Sequence, residues 1–282
     1  MDRSFLTRAD SLPAFRVFAD VLRVLLRAPE ETNLGDVERV IAREPAIAAR
    51  VLSVANSAFY ARGREVTAID DAIMRLGMRR LTEIVMWQLA DRRRYEGECR
   101  AFDAARFWQS ATLTGACAGV LSKYVSMDLA PAGGSMYALG LLHNIGVLVL
   151  TLCFPQEMAR AFETAKGSGE QLAVVERSIF DGDDHYSIGA ELMRRWRLPA
   201  VFSETVEALR DRSGAMAAVP PAACVLHLAK QIVAQLSNPD QPADLSEWSA
   251  KLAISEADLA SAISFVETEV KNAKAFAGHL SQ

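Results

Sequence analysis

An all-α fold is what this 282-residue sequence predicts, on three observations. Alanine (46) and leucine (30) supply 76 of the residues, and both rank among the strongest helix formers. Apolar residues recur at helical spacing along nearly the whole chain, and no sustained period-two stretch points to a strand. Proline, glycine and asparagine fall between the apolar stripes, where helices start and stop. The length suffices to bury a core without disulfides or metal staples.

The elements follow in order. Val37, Val40 and Ile41 form a stripe that ends near Pro45. A second helix starts at that proline, a favoured first-turn residue. It carries Ile47, Val51, Leu52 and Ala55 and stops around Asn56, a residue that tolerates the left-handed conformation of a helix end. Ala72, Ile73 and Leu76 make a short helix ended by Gly77, and Leu81, Ile84, Val85 and Leu89 make the next stripe, running into Asp91-Arg92-Arg93-Arg94. A helix from about Ala104 to Lys123 is followed by a turn over 131–134 and an apolar helix from Met136. Pro155 opens another helix, which ends at Gly167-Ser-Gly169. Ile188, Leu192, Met193 and Trp196 give an amphipathic stripe that stops before Pro199. Val225, Leu228, Ala229, Ile232, Val233 and Leu236 form the clearest stripe of all. After a loop over 238–242, Leu259, Ile263, Val266 and Val270 belong to a last helix.

Charge and cysteine usage narrow the function classes. With 31 Lys and Arg against 35 Asp and Glu the net charge is −4, whereas a dedicated nucleic-acid binder carries a basic surplus. Three arginine clusters exist, at Arg75 with Arg79 and Arg80, at Arg92 to Arg94, and at Arg194, Arg195 and Arg197; acids flank each one, so they read as solvated helix faces. The four cysteines are widely spaced and form no CxxC pair, the pattern of a reduced, cytoplasmic protein. The charged N-terminus has no apolar stretch of the signal-peptide kind. Leu129 to Gln156 contains no charged residue, and its core from Met136 to Phe154 is long enough to span a bilayer. His143 and Asn144 near its middle are costly at mid-bilayer depth, so a buried core helix is the expectation and no membrane is called for. Only four histidines are present, His143, His185, His227 and His279, which bounds any His-based metal chemistry tightly.

Several motifs carry a resemblance. Glu44-Pro-Ala-Ile-Ala-Ala-Arg-Val-Leu-Ser-Val-Ala-Asn-Ser-Ala-Phe-Tyr60, continued by Ala68-Ile69, Ala72-Ile73 and Leu76-Gly77, resembles the signature of HDOD domains, the HD-related output domains of bacterial signalling proteins. Leu12-Pro13 upstream, Gly140-Leu-Leu-His-Asn-Ile-Gly146, Phe154-Pro155, and the stretch from Asp184-His185 to Trp196 and Leu198-Pro199 are similar to further motifs of that family, in the same order. The resemblance runs from about Leu12 to about Leu236. It implies an HDOD domain over 1–242, with an N-terminal helical subdomain over about 12–100 and an HD-like helical bundle over about 101–242, followed by a C-terminal helical extension over 243–282.

The parent HD superfamily consists of metal-dependent phosphohydrolases built on a His, a His-Asp pair and a distal Asp. Imidazoles and carboxylates together hold a divalent cation that polarises phosphate and activates water. In this chain the pair reads His143-Asn144. The asparagine is neutral, binds a cation more weakly than aspartate and takes up no proton. Phe107-Trp-Gln-Ser110 lacks the histidine that relatives often carry there, and Arg210-Asp-Arg-Ser213 lacks a later histidine pair. The resemblance therefore implies a vestigial HD pocket formed by His143, Asn144, His185 and Gln109, with no catalytic residue, no metal and no cofactor. His143 reads as a buried histidine, with Asn144 hydrogen-bonding across the core. Asp184 reads as an N-cap with His185 just inside the helix. His227 lies off the apolar face of its stripe and is expected to be exposed, and Asn56-Ser57 is expected to be structural. The function implied is a non-catalytic signalling module that contacts a signalling protein partner, in regulation linked to cyclic dinucleotides, with self-association through the extension left open. The alternative is a residual metal-dependent phosphohydrolase or nucleotide sensor using the HD pocket.

Overall fold

A computed structural model describes residues 3–10, 19–20, 23–24, 34–42, 45–57, 59–60, 65–89, 99–125, 133–210, 219–238 and 243–280. Among these, every regular element is a helix. Leu12-Pro13, Arg92 to Arg94 and residues 211–213 lie outside the described residues, as do parts of the expected turn and loop at 131–132 and 239–242. The chain divides into two compact units, one of Asp2–Arg94 with Ala275–Gln282 and one essentially of Tyr95–Lys274.

The first unit contains α1 (Phe5–Asp10), α2 (Leu34–Ala42), α3 (Pro45–Ala55) and α4 (Ile69–Leu89). Helices α2, α3 and α4 pack on one another through buried Val37, Ile41, Ile47, Val51, Ile73, Leu81 and Ile84, the residues of the apolar stripes. Gly77 breaks α4 with φ 75° and ψ 159°, a conformation that favours glycine because it has no Cβ. The two stripes either side of it are thus separate helical runs, as their spacing predicts.

Asn56 does more than end α3. Its Nδ2 donates to the Val66 carbonyl at 2.7 Å and its Oδ1 accepts from the Val66 amide at 2.8 Å. The side chain imitates a paired peptide and ties the start of the segment before α4 to the end of α3. Ser57 Oγ donates to the Val54 carbonyl, and Arg75 Nη1 donates to the Ala55 carbonyl, where α3 leaves acceptors unsatisfied. The expectation that Asn56-Ser57 is structural finds a concrete physical basis here.

The second unit contains α5 (Ala104–Leu121), α6 (Gly133–Leu142), α7 (Ile145–Cys153), α8 (Pro155–Ser168), α9 (Leu172–Ile179), α10 (His185–Arg195), α11 (Ala200–Ala208), α12 (Pro221–Ser237), α13 (Ser246–Lys251) and, as far as Lys274, α14 (Glu256–Leu280). Asp103 caps α5 by accepting from the Arg106 amide, and Gly169 ends α8 in the left-handed conformation. The apolar stretch from Met136 is two helices rather than one, broken by a turn at His143-Asn144. By length and composition Met136–Cys153 could cross a membrane, yet 78% of it is buried inside the protein. Helices α9, α11 and α13, which the apolar spacing did not mark, are 8, 9 and 6 residues long.

Glycines set two close helix crossings. A Cβ on Gly140 would lie 2.6 Å from Gly115 Cα, so α5 and α6 touch backbone to backbone. A Cβ on Gly146 would lie 1.9 Å from the His185 carbonyl oxygen, which fixes α7 against the start of α10. Residues from 243 onward belong to the same unit as far as Lys274: Trp248, Leu252, Ile254, Ala262 and Val266 are buried, and α13 packs on α12.

Candidate functional site

The site lies where the α6–α7 turn, α9, the start of α10 and α12 supply polar groups to an otherwise apolar interior. Asp184 positions α10. Its Oδ1 accepts from the Ser187 amide and Ser187 Oγ accepts from the Asp184 amide, a complete capping box. Its Oδ2 accepts from Arg177 Nη1 at 2.8 Å and Arg210 Nε at 3.3 Å, so this fully buried carboxylate is compensated by two guanidinium groups. The N-cap expected from the sequence is present, with an ion-pair anchor the sequence did not reveal.

With the helix start fixed, His185 points its ring at Glu176 of α9. Nδ1–H donates to Glu176 Oε2 at 2.5 Å, and the His185 amide donates to the same oxygen at 2.8 Å. Burial by itself would depress the imidazole, but the charge and hydrogen bond of Glu176 outweigh it and raise the pKa above its ordinary value. Nδ1 is thereby committed to Glu176 and is not open to a metal. Glu176 is fully buried, and its Oε1 has no hydrogen-bond partner.

Beside His185 stands Tyr186, the ring centroids 4.0 Å apart. Lys230 of α12 donates to the Tyr186 hydroxyl and lies 4.7 Å from the centroid of its ring. Burial works to raise the phenol, yet Lys230 and His185 prevail and hold its pKa below the ordinary value. His143, in the turn ahead of α7, is 1% exposed and donates Nδ1–H to the Gly140 carbonyl at 2.6 Å. Burial first, and the Lys230 charge second, push its pKa well below the usual histidine value, so it is held neutral.

His143 and His185 therefore belong to one electrostatic cluster, since each feels the same Lys230 charge and His143 also feels His185. The other two residues expected there behave differently. Asn144 ends the turn without capping α7 by its side chain; its buried Oδ1 has no partner, so the expected hydrogen bond across the core is not made. Gln109 is half-buried on α5, and nothing among the described residues hydrogen-bonds it to His143 or His185. His227 is buried rather than exposed, 8% accessible and stacked on Trp248 with centroids 4.5 Å apart and an 11° interplanar angle. Sequence periodicity placed it off the apolar face because the residue covering it arrives from α13.

Glu176, Tyr186 and Lys230 were not foreseen. A signal existed for Glu176, which falls on one helical face with Ala173 and Phe180, both buried; an acid in an apolar stripe calls for a buried partner. Lys230 shares a face with buried Ala223 and Leu226 in the same way. Among the described residues of the arginine clusters, Arg80 pairs with Glu83, Arg194 with Glu191 and Glu207, and Arg195 with Glu191.

These donors do not fit a divalent cation. Among the described residues no group of three or more His, Cys, Asp or Glu side chains is arranged to hold a metal ion. The pair is His143-Asn144, His185 is committed to Glu176, and an ammonium group already stands in the cluster.

The architecture is that of an all-helical domain with a cluster of buried polar and charged side chains inside its second unit. The HDOD domain family model matches residues 12–211, and the chain belongs to that family, whose domains are of the signal-transduction type. A solved structure of a protein named for signal transduction, from Marinobacter aquaeolei VT8, is similar with a TM-score of 0.75 and 23% identity, over 95% of this chain and 59% of that one. A protein from Shewanella amazonensis SB2B named as a phosphohydrolase gives 0.65 and 25% over 96% and 98%. An HDOD domain protein from Geobacter sulfurreducens gives 0.65 and 16% over 93% and 89%. An uncharacterized protein of Treponema pallidum (strain Nichols) is 27% identical over 184 residues, 62% of this chain. The chain spans about a third (33%) of the length of that relative.

Proposed function

We propose that the chain is a non-catalytic signalling module of the bacterial cytoplasm, which works by contact with a partner signalling protein in regulation linked to cyclic dinucleotides. The observation that carries this reading is the pair His143-Asn144 with the groups around it. A phosphohydrolase of the HD kind needs a carboxylate beside the histidine to hold its metal; here a neutral amide stands there. The surrounding histidines support the reading, since one is held neutral by burial and Lys230 and the other is paired with Glu176. Four free cysteines support a reducing compartment.

The test has two parts on the purified full chain. Metal analysis and turnover of bis(p-nitrophenyl) phosphate with added Mn2+ or Mg2+ are expected to give substoichiometric metal and no rate above the metal-only blank. Affinity capture from native extract is expected to retain a signalling protein whose complex re-forms from purified parts. Stoichiometric bound metal with phosphodiester turnover would replace this reading with a metal-dependent phosphohydrolase or nucleotide sensor, which the Shewanella relative favours by its name. Capture of no signalling protein at any salt would remove the partner role, and sedimentation of the purified chain decides whether the partner is a second copy.

A further inference from the structure

The cluster described above contains one full positive charge for which an HD-type metal site has no room. Lys230 reaches in from α12, hydrogen-bonds Tyr186 and lies over its ring. The Tyr186 ring in turn lies beside that of His185, tilted by 48°, and His185 is the histidine tied to Glu176. We propose that Lys230 takes the electrostatic place of the metal ion in this pocket, supplying its positive charge from the chain itself and rejecting divalent cations. The proposal rests on the non-catalytic reading and gives it a second physical cause besides Asn144.

Three features of the geometry point to this assignment. Lys230 is anchored at its ammonium end, so its charge is not free to swing out to solvent. That charge stands beside the histidines, because the Tyr186 ring that Lys230 covers lies 4.0 Å from the His185 ring. The Glu176 carboxylate in the same cluster is already engaged by His185, through both its Nδ1 and its amide. A dication entering beside His143 would meet a fixed like charge inside a medium of low dielectric, where repulsion is far stronger than in water. The Tyr186 hydroxyl, which accepts from the lysine, holds that charge in place.

The test starts from Asn144→Asp, which restores the missing carboxylate. Mn2+ binding is followed by titration calorimetry and by loss of the free-ion paramagnetic resonance signal. Adding Lys230→Met to Asn144→Asp is expected to tighten Mn2+ binding at least tenfold, whereas adding Lys230→Arg, which keeps the charge, is expected to leave it unchanged. If Lys230→Met does not fold, Tyr186→Phe with Lys230→Met removes both hydrogen-bond partners together and reads the same quantity. Equal Mn2+ affinity with and without Lys230→Met would overturn the role of Lys230 while leaving the non-catalytic reading standing on Asn144. Stoichiometric Mn2+ binding by the unaltered protein would overturn both.

Discussion

Gly146→Ala is the perturbation that tests the packing of the site most directly. The new Cβ would sit 1.9 Å from the His185 carbonyl oxygen, 2.8 Å from its carbonyl carbon and 2.9 Å from the Gly189 amide nitrogen. All three are backbone atoms, so no side-chain rotation relieves the clash. Restoring an ordinary carbon–oxygen contact of roughly 3.3 Å requires α10 to retreat from α7 by about 1.4 Å. Overpacking of a close-packed interior costs typically about 1–3 kcal/mol, and a rigid backbone contact places this case at about 3 kcal/mol. For a unit of this size that lowers the melting temperature by about 6–12 °C. Thermal and urea unfolding followed by circular dichroism read the effect, with Gly167→Ala as the control. Gly167 sits in α8 with nothing within 4 Å of its would-be Cβ, so alanine there is expected to stabilise by about 0.5 kcal/mol through the unfolded chain. A Gly146→Ala protein within about 0.5 kcal/mol of the parent would refute the crossing geometry, since the smallest overpacking penalties are about twice that.

Three further outcomes are expected. Asn56→Ala strands the amide and carbonyl of Val66 and is expected to cost about 1–3 kcal/mol in urea unfolding; a loss within error would mean water replaces both bonds. Asp184→Ala removes a cap, worth about 1 kcal/mol, and also the anion that balances half-exposed Arg177 and Arg210, so the loss is expected to exceed that of a cap alone, and a smaller one would show the ion pairs contribute nothing. The histidines give opposite pH dependences. His143 has a lowered pKa, so below about pH 6.5 the unfolded chain binds a proton that the folded chain does not, and stability falls with acid. His185 has a raised pKa; its contribution is fully present below about 6.5 and is lost as pH rises through the folded value. Glu176→Gln abolishes that second contribution, so its deficit relative to the parent is expected to be largest in mild acid and to shrink in mild alkali. Urea titrations of both proteins from pH 5.5 to 8.5 check this, and a deficit that does not vary with pH would rule out the charged pair.

Much of this protein was legible from residue order alone. The 3.6-residue spacing of apolar side chains is a local property, so the long helices, the starts at Pro45 and Pro155, the stop at Gly77 and the cap at Asp184 could all be read directly. The motif glycines and the His143-Asn144 pair were legible too, and they marked both the family and the place where the site would fall. What the order of residues did not contain was which side chain meets which. The pairing of Glu176 with His185, the reach of Lys230 to Tyr186 from 44 positions away, and the burial of His227 under Trp248 each join two different helices. Such contacts depend on how helices cross, and the crossings are set by close backbone approaches at Gly115, Gly140, Gly146 and Gly189. The sequence by itself determined an all-helical chain with asparagine after His143; only the tertiary structure decided that a lysine and a buried glutamate stand in the cluster with His185, because charge balance in an interior is a property of neighbours in space.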